Sequence, residues 1–204
     1  MQDPNYYLSI EKKTTATFTD RGSRFMAFAY PVASIDAFKA VLQEIKKEHP
    51  KASHYCFAYR IGIEGMTYRV TDAGEPAGSA GRPILGQIDS RGLTNVCVIV
   101  VRYFGGTLLG VPGLINAYKS AASLALQLTP VLRKPVEIQY TVQFDYTVVN
   151  EVSAVLKRFS CNIINKDMQL FCLYQVGVPK VHERDCIQQL ADIRGCEVKK
   201  KSDQ

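Results

Sequence analysis

No window of this chain holds the roughly 18 uncharged apolar residues that a membrane-spanning helix needs. The opening, MQDPNYYLSIEKKTT, lacks the basic-then-apolar order of a secretory signal. A cytoplasmic protein is therefore expected. Cys56, Cys97, Cys161, Cys172, Cys186 and Cys196 form no CxxC pair and no metal-type Cys/His spacing. That argues against a zinc site and against a disulfide framework. Most of them interrupt apolar runs, where a free thiol packs as a small hydrophobe. The Walker A pattern, GxxxxGK followed by Ser or Thr, is missing, and so is GxGxxG. No calcium-loop spacing, low-complexity tract or tandem repeat is present. No cofactor and no metal is expected.

What is present is a chain of 204 residues, 47% apolar, with a formal charge of +6. That length suits one large or two small domains. The charge is uneven: residues 1–137 carry 16 Lys+Arg against 11 Asp+Glu. The excess favours an acidic partner for that part, or serves solubility alone.

The pattern divides the chain. SRFMAFAYPV (23–32) reads as a strand closed by Pro31. Ser34 or Asp36 then caps a helix whose stripe is Ile35, Phe38, Val41, Leu42 and Ile45. SHYCFAYRIG (53–62) reads as a strand. It places His54, Cys56 and Ala58 on one face and Tyr55, Phe57 and Tyr59 on the other. MTYRVTD (66–72) pairs with it. A glycine-rich loop with a short helix follows. TNVCVIVVRYF (94–104) is nearly continuous in apolar residues, as in a central strand covered on both faces. Leu114 to Ala125 then favours a helix with small residues on its packed side. TPVLRKPVEI resembles a boundary. Beyond it the order β-α-β-β-α-β over about 65 residues is the ferredoxin-like split motif. The expected architecture is α+β with two domains: residues 1–130, a linker at 131–137, and a ferredoxin-like domain at 138–204.

Four chemistries fit parts of this pattern. His54 and Cys56 share a strand face, which suggests a Cys–His pair, yet residues two apart on a strand stand about 6–7 Å apart. Asp72, Glu75 and Asp89 bracket the glycine-rich loop and could hold a hard cation; such carboxylates also cap turns. GEPAGSAGRP and RYFGGTLLGVPG could expose main-chain N–H groups to an anion beside Arg82, Arg91 and Arg102. Their glycines could equally serve turning and close packing. Tyr55, Tyr59, Arg60, Tyr68 and Arg69 mix aromatics with bases, as nucleic-acid-binding faces do, or form an ordinary sheet face.

GSRFMAFAYPV, HYCFAYRIG, TDAGEPAGSAGRPIL, GLTNVCVIVVRYFGGTLLG and GLINAYKSAA together resemble the Impact family, in its bacterial YigZ-like branch. The resemblance covers most of residues 20–125. It implies an N-terminal α/β sandwich similar to the second domain of a small-subunit ribosomal protein and of elongation factor G. The C-terminal domain would resemble the last domain of elongation factor G. It also implies a role around translation. Eukaryotic relatives compete for the activator of a kinase that senses uncharged tRNA, a pathway that bacteria lack. The implied function is a non-catalytic binding and regulatory protein contacting RNA, the ribosome or a translation-related protein. The alternative is an enzyme acting on a phosphorylated small molecule or nucleotide through the glycine-rich loops. The implied binding positions are Glu75, Gly78, Arg82, Arg102, Tyr103, Phe104, Gly105, Gly106, Gly110 and Lys119, with Arg102 and the loop donors displayed outward. Leu108 and Asn116 stand where many relatives carry bases.

Overall fold

The computed structural model describes residues 3–201. The chain forms two compact units. One runs from Tyr7 to Lys134; the other comprises, of the described residues, 135–201 and 3–6.

The first unit opens with β1 (Tyr6–Ile10), β2 (Thr14–Asp20) and β3 (Ser23–Pro31). Helix α1 (Ile35–Glu48) follows. The Ser34 Oγ accepts from the Ala37 N–H at 3.1 Å and satisfies a first-turn donor. Next come β4 (His54–Ile61), β5 (Thr67–Thr71), α2 (Gly81–Asp89), β6 (Val96–Tyr103) and α3 (Gly110–Gln127). Strands β2-β3-β6-β4-β5 form one sheet whose neighbours are all antiparallel. The long apolar run becomes β6, the middle strand, buried from Val96 through Arg102.

Alternation along the strands builds two cores. Phe25, Ala27 and Ala29 of β3, Cys56 and Ala58 of β4, and Val96, Val98 and Val100 of β6 face α2 and α3. Phe28, Phe57, Tyr59, Cys97, Ile99 and Val101 face α1, where Phe38 packs on Phe57 and Tyr59 with ring centroids 4.7 Å away. The small residues Ala117, Ala121, Ala122 and Ala125 let α3 lie close to the sheet.

Residues 131–137, expected as a linker, are almost wholly strand. β7 (Val131–Pro135) pairs with β1, and only Val136 separates it from β8 (Glu137–Phe144). The prolines that suggested a break sit before and at the end of β7, where no ladder donor is required.

The second unit continues with α4 (Val149–Arg158), β9 (Asn162–Met168), β10 (Cys172–Pro179), α5 (Glu183–Ala191) and β11 (Cys196–Lys200). This is the β-α-β-β-α-β order, in an antiparallel sheet β11-β8-β10-β9. Val142, Phe144, Tyr174, Val176 and Val178 pack with Val152, Leu156, Cys186 and Leu190. The intervening positions Gln139, Thr141, Gln143 and Gln175 lie on the opposite face.

Candidate functional site

The two glycine-bearing loops of the first unit meet on one carboxylate. Glu75 Oε1 accepts from Arg102 Nη1 at 2.7 Å and from the Tyr118 hydroxyl at 2.7 Å. Glu75 comes from the first loop, Arg102 from the end of β6 and Tyr118 from α3. The Glu75 and Arg102 side chains are only 4% and 6% exposed. Arg102 Nη2 also donates to Ser23 Oγ at 3.3 Å, and that oxygen accepts the Gly105 N–H at 3.2 Å. The guanidinium carbon lies 5.4 Å from the ring centroids of both Phe25 and Phe104. Burial first, and then its neighbours Cys56 and Glu75, hold the Tyr118 hydroxyl far above its ordinary pKa, so it stays a donor.

This corrects the expected outward display of Arg102. The residue follows Val98 and Val100 on the same face of β6, toward α2 and α3, and there Glu75 neutralises it. The two loops meet as expected, but their shared cation points inward.

The first loop is also held from within. The Asp72 carboxylate accepts the N–H groups of Gly78 (2.9 Å), Ala80 (3.0 Å) and Gly81 (2.8 Å). Burial pushes this carboxyl up, but the three main-chain bonds outweigh burial and Arg82 adds to them. Its pKa falls below the usual 3.8. The donors that the sequence offered to an external anion are therefore spent on a side chain of the same loop. That corrects the expected outward display of these donors.

The second loop owes its shape to one close approach. A Cβ on Gly105 would lie 1.9 Å from the carbonyl carbon of Gly22, so only glycine fits there. Gly106 and Gly110 take positive φ, at 85° and 71°. Just before them the chain exposes Phe104 (49%), between them Leu108 (82%), and α3 begins with exposed Val111 and, one turn on, Ile115. Val111 and Ile115, four apart, share one helix face. Tyr103 is half-buried; its hydroxyl is hydrogen-bonded with His49 Nδ1 at 2.9 Å, and Arg24 lies over its ring at 4.8 Å. Arg82 and Lys119 are exposed.

The other candidate chemistries take different forms from those expected. His54 and Cys56 are each committed to a main-chain carbonyl: His54 Nδ1 to Ala73 at 2.9 Å and Cys56 Sγ to Asp72 at 3.0 Å. Burial above all pushes the Cys56 thiol up to about 12, so Cys56 stays protonated at neutral pH. The carboxylates Asp72, Glu75 and Asp89 do not converge, and Asp89 accepts from Arg60 Nε at 2.7 Å. The aromatic–basic mixture is divided as well. Tyr59 is buried and Tyr55 faces the α1 core, leaving Tyr68 exposed with the Arg60 guanidinium 5.2 Å from its ring. Sequence reasoning did not assign roles to Ser23, His54 or Tyr118 around Glu75. His54 Nε2 lies 3.9 Å from Glu75 Oε1. Period-two alternation carried the missing signal, since His54, Cys56 and Arg102 share the face that meets Tyr118.

Comparison with known proteins gives a consistent result. Residues 21–126 match the family described as the Impact N-terminal domain. The chain is 36% identical over 172 residues to the IMPACT family member YigZ of Escherichia coli (strain K12), covering 83% of this chain and 84% of that one. It is 35% identical over 152 residues to YvyE of Bacillus subtilis (strain 168), covering 74% and 70%. Protein IMPACT of Rattus norvegicus shares 39% identity over 100 residues, 47% of this chain and 31% of that protein. A crystal structure described only as that of a hypothetical protein covers 98% of this chain and 99% of its own, with a TM-score of 0.74 at 32% identity.

Proposed function

The chain belongs to the Impact family, and on that footing we propose that it is a non-catalytic regulatory protein of translation. Its first unit docks a protein partner through the second glycine-bearing loop and the start of α3. The observation that carries this reading is the contrast between inside and outside. The Glu75–Arg102–Tyr118 cluster closes the loops inward. Phe104, Leu108, Val111 and Ile115 are left exposed around the turn. Clustered exposed apolar groups on a rigid turn favour a protein surface over a nucleic acid.

Three further observations support binding over catalysis and protein over RNA. The Cys56 thiol is protonated. The loop donors are occupied by Asp72. On the second unit's sheet, Tyr140, Phe144 and Tyr174 point into the core, so the strands themselves present no aromatic ring on the face of Gln139, Thr141, Gln143 and Gln175, and exposed Phe171 borders that face only at the Leu173 end.

Co-sedimentation with ribosomes and translation factors from a cell extract, with and without nuclease, tests the proposal. The chain is expected to co-migrate with a translation factor or ribosomal protein after nuclease treatment. The doubly substituted Leu108→Ser, Val111→Ser chain is expected to lose that association. Loss of association on nuclease treatment would favour RNA instead. Saturable stabilisation by a nucleotide, with turnover, would favour the enzyme reading.

A further inference from the structure

Cys161 and Cys186 lie in the second unit with their sulfurs 3.5 Å apart. Their positions are fixed by independent features. Cys161 ends the turn after α4: its N–H donates to Leu156 O at 2.9 Å, and Ser160 before it has a φ of 53°. Cys186 sits in the first turns of α5 with its side chain in the core. The Phe159 and His182 rings, 5.8 Å apart, join the same two segments beside the sulfurs. Cys161 is partly exposed and Cys186 is fully buried. One sulfur is thus open to a reagent in solution and the other stands directly behind it.

We propose that Cys161 and Cys186 form a reversible disulfide, an oxidation site for low-molecular-weight disulfides, in which Cys161 is the attacking thiol and Cys186 the resolving one. The two sulfurs move from 3.5 Å to about 2.05 Å as the bond forms. In the dithiol form the two thiols share one S–H···S contact in which either sulfur can donate, and this contact, before burial, holds the Cys186 thiol below its ordinary pKa and the Cys161 thiol above it. The pair therefore loses its first proton as a unit. Moving the remaining proton across to Cys186 places the charge on Cys161, the sulfur that solvent reaches. That thiolate attacks a small disulfide; one S–S bond forms, the old one breaks, and a small thiolate leaves. Cys186 then attacks Cys161 in the mixed disulfide and expels the second small thiolate, while its own proton passes to the departing thiolates. Two protein thiols are oxidised and one small disulfide is reduced to two thiols. Cys56, Cys97 and Cys172 are buried and have no such route.

The test treats the native full-length chain with glutathione disulfide at graded redox ratios, followed by alkylation, digestion and mass spectrometry. The expected product is one crosslinked pair of peptides carrying Cys161 and Cys186, lighter by two hydrogens and reversed by a dithiol reductant. Cys56, Cys97 and Cys172 are expected to be alkylated only after unfolding. In Cys186→Ser, the glutathione mixed disulfide at Cys161 is expected to accumulate about tenfold above its wild-type level, because the resolving step is lost. The wild-type mapping stands alone should that variant misfold. Cys161 remaining a thiol under oxidation, stopping at the mixed disulfide in the wild type, or pairing instead with Cys196 or another chain would each overturn the proposal.

Discussion

Replacing Glu75 by Gln isolates the interaction that joins the two loops. The substitution keeps the side-chain shape and one acceptor oxygen but removes the charge. Arg102, 5% exposed, then remains a cation with no anion, and its Nε already lacks a partner. Removing one member of a buried ion pair costs about 3–5 kcal/mol. The glutamine oxygen still accepts from the Arg102 cation, about 1.5–3 kcal/mol, and from the neutral Tyr118 hydroxyl, about 1 kcal/mol. The expected loss is therefore near the lower bound, about 3 kcal/mol. The companion Arg102→Met alongside Glu75→Gln removes the stranded cation and leaves an apolar stem between Phe25 and Phe104. It forfeits the ring–cation contacts, about 1 kcal/mol. The double variant is thus expected to be more stable than Glu75→Gln alone, so the coupling in the mutant cycle exceeds the cost of Arg102→Met by itself, about 3 kcal/mol because that variant strands the buried Glu75. The chain has no Trp and two compact units, so a single optical melt would mix their transitions. Hydrogen exchange of the β3, β6 and α3 amides in the intact chain reads the first unit directly. A loss of 3 kcal/mol appears there as roughly a hundredfold faster exchange through opening. A Glu75→Gln change within about 0.5 kcal/mol, or strict additivity in the cycle, would refute the buried-pair reasoning.

Two further predictions concern the loops. Asp72 has its folded pKa below the usual 3.8, so its contribution is present above that value and is lost as pH falls through the lower folded value. Acid titration of first-unit stability should therefore be shallower in Asp72→Asn, which should also be less stable at neutral pH; an unchanged acid slope would contradict this. Gly105→Ala, whose Cβ would lie 1.9 Å from Gly22, should cost at least about 2 kcal/mol. Gly106→Ala, at φ 85° with open space around it, should cost about 1 kcal/mol, and equal costs in denaturant unfolding would contradict the close approach.

Most of the fold was legible because its periodicities are strong. The apolar run of β6 reads as a central strand, and the alternation of β4 assigns His54 and Tyr55 to opposite faces. The second unit's order of strands and helices reads directly from its apolar positions. β2, the sheet-edge segment TTATFTD, has too few apolar residues to announce itself, and β7 was obscured by its flanking prolines. Arg102 was misplaced because a charge closing an apolar run suggests exposure. The same alternation that places Val98 and Val100 against α2 and α3 also places Arg102 there. What a sequence pattern does not carry is the carboxylate that meets it: Glu75 is 27 residues away, in a loop with no period to follow.

The salt dependence of partner binding separates an apolar docking face from a cationic one most directly. Sedimentation of the wild-type chain with the translation-related partner proposed above, repeated at rising ionic strength, should show binding that hardly weakens. Arg82→Ala with Lys119→Ala should leave it intact, and Leu108→Ser with Val111→Ser should abolish it without loss of fold. Binding that collapses with salt and with the two cations, yet survives loss of Leu108 and Val111, would contradict the account.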